Sequence, residues 1–312
     1  VPPPPRFDDM RRGRQERVED GGRRTVIQEG NRTIIRQDNR VFIQHDDGDR
    51  FRRFRNARTE QRPDGRRETF YVRPDGYRVV SEVDAQGRLV RRYRRGPDGR
   101  EQNIIDNRRF LRNAAIGIGV GALAAAAIVT LARPAHAVPR ERYIVDYDRA
   151  SDDDLYETLR APPVERLERP YSLDEIRYSN SLRERMRRID LDAVTFDIGD
   201  YEVSPEQYPK LERLARSILR LLQNSPDEVF LVEGHTDAVG SDVDNVSLSD
   251  RRAEAVVHIL SETFGVPPEN LVSQGYGEQF PKIDTQGPER LNRRVSVRRI
   301  TPLMAEQGPP GR

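Results

Sequence analysis

The chain has 312 residues, of which 35% are hydrophobic and 34% charged, and it contains no cysteine. That composition excludes disulfide frameworks, thiol nucleophiles and cysteine-ligated metals. With a mean hydropathy of −0.83, there is too little apolar surface to pack the whole length around ordinary cores. The four histidines are scattered, which argues against a histidine-rich metal cage, and no cofactor motif stands out. The net charge of +2 hides an asymmetry: residues 1–112 carry 29 Arg against 19 acids, whereas residues 113–312 carry a net charge of −8. An arginine-rich front suits a polyanion, whether nucleic acid, anionic lipid or another polymer.

In chain order, residues 1–22 begin with Val1-Pro2-Pro3-Pro4-Pro5, lack an apolar period and predict disorder. Residues 23–112 predict a basic β-hairpin-repeat region. Thr25–Gln28, Arg32–Ile35 and Arg40–Ile43 are β-branched or aromatic runs. Turn signals follow at Gly65, Gly76, Gly87 and Gly99, three of them within Pro-Asp-Gly. Such glycines supply the positive φ that tight hairpins need. The region reads as a meander or a short stacked array.

Residues 113–132 are uncharged and rich in Ala and Gly. As a helix they would span about 30 Å, the thickness of a bilayer's hydrocarbon core. Gly117, Gly121 and Ala125 would then form a small-residue ridge suited to pairing with a second copy in lipid. The expectation is a transmembrane or glycine-zipper helix in contact with membrane lipid. A buried soluble helix and an export-signal-like segment ending at Ala135-His136-Ala137 compete with it. Residues 133–190 read as a linker with short helices, one starting at Ser172-Leu173-Asp174-Glu175. The start at Val1 suggests that something upstream was removed or never included.

Residues 191–303 read as a regular domain, followed by a disordered tail at 304–312. Ala193–Phe196 predicts a strand. Ser204-Pro205-Glu206-Gln207 predicts a capped helix start, and Leu211, Leu214, Ala215, Ile218, Leu221 and Leu222 give that helix its apolar face. Val229–Val232 predicts a buried strand, followed by a polar loop to Val246 and a helix opening near Leu248-Ser249. Leu271–Ser273 and Arg293–Arg299 complete an α/β fold, a two-layer β-α-β-α-β-β sandwich.

Thr236 and Asp237 would lie just past the second strand, with Arg252 in the first turn of the following helix. A carboxylate, a guanidinium and a helix N-terminus together suit a zwitterion. The competing reading is a structural loop in which Asp237 and Arg252 pair with each other or Asp237 caps the turn.

Glu233-Gly234-His235-Thr236-Asp237, Gly240, Asn245-Val246-Ser247-Leu248-Ser249 and Arg252-Ala253 stand in this order. Gly275-Tyr276-Gly277-Glu278, Pro281 and Asn292-Arg293-Arg294-Val295 follow. Together they resemble the OmpA-like C-terminal domain over residues 192–300. The resemblance implies non-covalent binding of peptidoglycan through the diaminopimelate of its stem peptide. Asp237 would meet the amino end and Arg252 the carboxylate. Thr236, Asn245 and Leu248 would line the pocket, and Arg293 would be a secondary contact.

The function expected is anchoring of a membrane-associated envelope protein to the wall, without enzyme activity. The expected place is the outer membrane with the C-terminal domain in the periplasm. An inner-membrane protein with a cytoplasmic front half, following the positive-inside tendency, is the alternative. The alternative function is polyanion or nucleic-acid binding through residues 23–112. A flagellar stator would need an ionisable residue in 113–132, and a porin would need many apolar-faced strands. A hydrolase using His235 and Asp237 would need a nucleophile motif around Ser241, Ser247 or Ser249, and none is present.

Overall fold

The computed structural model describes residues 6–111 and 143–304, apart from 39, 55, 86, 109 and 198. The run 113–132, with Gly117, Gly121 and Ala125, lies outside the described residues, as does the tail from 305. Among the described residues, no helix is long and apolar enough to cross a membrane.

The front of the chain forms two antiparallel meanders. The first sheet runs in the order β1 (Gln15–Glu19), β2 (Arg24–Glu29), β3 (Arg32–Gln37), β4 (Arg40–His45). The second joins β5 (Arg58–Gln61), β6 (Arg67–Val72), β7 (Arg78–Val83), β8 (Leu89–Arg95) and β9 (Glu101–Asp106). Gly65, Gly76, Gly87 and Gly99 turn its four hairpins at φ of 82°, 84°, 80° and 80°, a region that side chains with a Cβ resist.

Residues 6–22 differ from the disorder expected for 1–22. They form a short helix, α1 (Phe7–Arg12), and strand β1, paired with β2 from Gln15↔Gln28 to Glu19↔Arg24. No residue of β1 is buried. Backbone pairing and ions hold this segment instead, with Arg14 bonded to both Glu29 and Asp244.

The C-terminal sheet has the order β10 (Ile144–Asp146), β11 (Arg188–Asp190), β14 (Val295–Arg299), β12 (Phe230–Gly234), β13 (Leu271–Gly275). β10 is parallel to β11 and β12 to β13, while β14 runs antiparallel between β11 and β12. One face carries α2 (Asp152–Arg160), α5 (Glu212–Asn224) and α6 (Asp242–Glu262). Phe230, Val232, Val295 and Val297 meet Leu214, Ile218, Val256 and Leu260 there. Burying each such side chain contributes about 1.5–3 kcal/mol.

The opposite face is covered too, so two expected layers become three. Val229, Leu231 and Val272 pack with Leu173, Ile176, Leu182 and Met186. These belong to the region of α3 (Leu173–Tyr178) and α4 (Asn180–Arg183). Ile300 and Leu303 around α7 (Thr301–Met304) join them, as do Val83, Leu89 and Ile105 of the second meander. Residues 143–190 are therefore not a linker: they supply two strands, β10 and β11, and three helices to the C-terminal unit.

Several boundaries shift. Ala193–Phe196 is not a strand; the strand is β11, whose Ile189 is buried. Ser204 starts a 3₁₀ stretch (Pro205–Leu211), since Pro209 lacks the N–H that an α-helix would use there. Gln207 bonds Thr195 rather than closing a capping box. The largest change is α6, which starts at Asp242 with Ser241 as its N-cap. Its first two turns carry only Val243, Val246 and Leu248 as apolar residues, and the two valines pack on the front sheet.

Candidate binding site

Asp237 follows β12 by three residues and Arg252 lies on α6. Because α6 begins at Asp242, Arg252 is in its third turn, and the helix N-terminus cannot share an anion with it. What brings the two together is close packing of the helix on the sheet. A Cβ on Gly234 would stand 1.9 Å from Ser249 O, and one on Gly275 2.3 Å from Asp250 N. Only glycine lets the backbones approach this closely.

Asp237 is 7% exposed. Its Oδ2 accepts from Arg293 Nη1 at 2.5 Å and from Glu289 N at 3.3 Å. Its Oδ1 has only a long contact, 3.4 Å from Val239 N. Arg293 is thus the direct ion-pair partner of Asp237, and among the described residues Arg252 is not paired with Asp237.

Arg252, 2% exposed, donates Nε to Asp200 O at 2.9 Å and Nη2 to Asp197 O at 3.2 Å. Its guanidinium lies 4.8 Å from the centre of the Phe196 ring. Among the described residues its Nη1 has no hydrogen-bond partner. Burial, reinforced by the nearby Arg293, lowers its pKa to about 10, against a smaller opposing effect of Asp237 and Asp200. A guanidinium so placed gains from a bound carboxylate.

Asn245 and Thr236 border Asp237. Asn245 donates to Asp237 O at 3.3 Å and to Glu278 Oε2 at 2.6 Å. Thr236 N donates to Gly277 O, while its buried hydroxyl has no partner. Leu248 is buried. Sequence reasoning missed Glu278, although it stands in the Gly-Tyr-Gly-Glu motif, and missed Phe196 and the carbonyls of Asp197 and Asp200. Backbone acceptors leave no residue-type signal.

His235 is buried against Tyr276, with ring centroids 5.6 Å apart. Among the described residues its nitrogens have no hydrogen bond within 3.5 Å, and burial, aided by Arg294 and opposed by Glu233 at 3.9 Å, pushes its pKa down to about 3. Ser241 caps α6, Ser247 bonds Glu29 and Ser249 bonds Val246 O. None of the three hydroxyls is joined to His235, so no nucleophile–base pair forms among them.

A carboxylate on the loop after β12 and an arginine on the helix packed over the sheet belong to an α/β domain. Residues 195–294 match the OmpA family model. Outer membrane porin F of Pseudomonas aeruginosa is 38% identical over 112 residues, 35% of this chain and 31% of that protein. The protein YfiB of Escherichia coli (strain K12) is 31% identical over 113 residues, 36% of this chain and 68% of that one. A solved structure of the peptidoglycan-associated lipoprotein from Burkholderia pseudomallei is 28% identical. It spans 34% of this chain and 87% of that one, with a TM-score of 0.29. The chain belongs to the OmpA family through this domain. It spans about a third of the length of the first curated relatives it matches, and residues 1–190 lie before the family match.

Proposed function

We propose that this chain anchors a cell-envelope protein non-covalently to peptidoglycan by holding the diaminopimelate of the stem peptide between Asp237 and Arg252. Family membership supports the ligand class. The observation that carries the reading is the pair of open valences: among the described residues Asp237 Oδ1 and Arg252 Nη1 lack strong partners while the rest of each group is fixed. An ammonium suits the first and a carboxylate the second. Arg293 holds Asp237 in place through their ion pair. The outer membrane, with this domain in the periplasm, is the location that fits the ligand and the names of the relatives. Each site is of modest affinity, and many sites on one polymer multiply it.

Co-sedimentation of the full chain with purified sacculi tests this, comparing wild type with Asp237→Asn and Arg252→Ala. Losing one charged hydrogen-bond partner, worth about 1.5–3 kcal/mol, should weaken binding roughly 10- to 100-fold. Free diaminopimelate should compete with the wild type. Equal sedimentation of all three proteins, with their circular dichroism unchanged, would sink the pocket assignment.

A further inference from the structure

An α-helix advances about 100° per residue, so α6 presents distinct sides to its neighbours. Val243, Val246, Ser247, Asp250 and Glu254 recur on one side. Asn245, Leu248 and Arg252 lie about half a turn away, on the opposite side. The first set meets the front sheet. Val243 and Val246 pack with Ile27, Ile34, Val41 and Ile43. Glu29 accepts from Ser247 Oγ, from Arg251 Nη2 at 2.7 Å and from Arg14 Nε at 2.7 Å. Arg32, 3% exposed, donates Nε to Asp250 Oδ2 at 2.9 Å and pairs through Nη2 with Glu254. The other oxygen of Asp250 accepts Gly275 N at 2.9 Å. Two residues on, Gly277 O holds Thr236 N, beside Asp237.

The second set is the candidate site. Asp237 sits on a loop fixed to β12, whereas Asn245 and Arg252 ride on α6. Their separation therefore depends on where the helix rests on the sheet. The contacts of Gly234 and Gly275 set its height but give no support from the side. That support comes from the front sheet, pressed on the flank opposite the site. The peptide segment supplying it lies entirely outside residues 195–294.

We propose that the front sheet, β1–β4, is a brace for α6 and that Arg32 is a positioning residue for the Asp237–Arg252 site; this rests on the peptidoglycan reading above. The wall-binding unit of this protein is then the family domain together with the front sheet, and Arg32 acts through Asp250 and Glu254 without touching ligand. Arg94 is the natural control. It too is a buried guanidinium reaching from a front meander to a buried acid, Glu269, at 2.7 Å. Glu269 stands just before β13, at the end away from Gly275.

The experiment is co-sedimentation of the full chain with sacculi, with urea unfolding run in parallel. Arg32→Met should weaken binding about tenfold, as loss of an outer-shell support does. Arg32→Lys should recover part of it. Arg94→Met should bind like wild type although its unfolding midpoint also falls. Wild-type binding by Arg32→Met overturns the brace, and so does equal weakening by Arg94→Met, since the loss would then follow general stability. If Arg32→Met does not fold, Ser247→Ala removes one bond to Glu29 with little loss of volume. Weaker binding at an unchanged midpoint supports the brace, and unchanged binding overturns it. Failure of the wild type to sediment is a separate result: it ends the peptidoglycan reading, and this proposal with it.

Discussion

The C-terminal sheet and the second front meander are both β-sheets with buried faces, yet they are held by different forces. In the first, Phe230, Leu231 and Val232 are each 0% exposed and lie in a continuous apolar core. In the second, the apolar clusters are as small as Phe51, Tyr71 and Val79, or Phe70, Val80 and Tyr93. Arginines do the remaining work. β13 is the edge of the C-terminal sheet, and its Leu271 carbonyl accepts from Arg50 at 2.7 Å and from Arg92 at 3.2 Å. An open strand edge is a template for unwanted pairing, and here guanidinium groups close it. Composition counts charges but not their direction. The front arginines that suggest a polyanion partner are largely turned onto acids and carbonyls of the same chain.

The sharpest way to break this contrast is at Glu269, which is 0% exposed. It accepts from Tyr71 Oη and Arg73 at 3.0 Å and from Arg94 at 2.7 Å. Removing one partner of a buried pair leaves an uncompensated charge, at a typical loss of about 3–5 kcal/mol. Glu269→Ala should lower unfolding stability by that much in a urea titration. The double variant with Arg94→Ala should be no less stable than the single one. A loss under about 1 kcal/mol, the scale of exposed pairs, would mean that the meander is docked by something other than these ions.

A smaller effect concerns pH and the apolar side of the comparison. His235 is neutral in the fold, its pKa lowered from 6.5 to about 3 mainly by burial. In the unfolded chain it takes up a proton near pH 6.5, whereas in the folded chain it does so only near 3. Its contribution is therefore complete above pH 6.5 and is lost as pH falls from there toward 3. Between pH 6.5 and 5 the loss is roughly 2 kcal/mol. His235→Gln should flatten the melting-temperature profile in that window. An equally steep profile in the variant would assign the slope to other groups.

These contrasts also show what was legible in the sequence. The strands β2, β3 and β4 carry β-branched runs, and the hairpin glycines announce their turns, because local sterics dictate both. Asp237, Arg252, Thr236, Asn245 and Leu248 are picked out by a resemblance that spans most of the C-terminal domain, and their binding role is the proposal made above. The start of α6 was not. Its opening turns bury Val243 and Val246 against a sheet 200 residues earlier in the chain, so no apolar stripe faces the domain's own core. Nor did the sequence reveal that residues 143–190 pack. Their apolar residues are spaced between prolines and acids, and the surface they cover belongs to strands far along the chain.

The weakest expected effect tests that last point. Ser172 caps α3: its hydroxyl accepts Glu175 N at 3.1 Å, and Glu175 Oε2 accepts Ser172 N at 2.8 Å. Asn107, just past β9, accepts Leu173 N at 3.1 Å and donates to Leu89 O at 3.0 Å. The helix start is thus tied at once to the front meander and, through Ile176, to the sheet beneath. Ser172→Ala removes the cap at a loss of about 1 kcal/mol. If the segment is a structural layer, that loss appears as a shift of the main unfolding transition, with the same slope. If it is an appendage, only a probe placed on residues 172–178 moves and the main transition stays where it was. The first outcome is expected, because Leu173 and Ile176 are 0% exposed beneath a sheet they cannot leave without uncovering Leu231 and Val272.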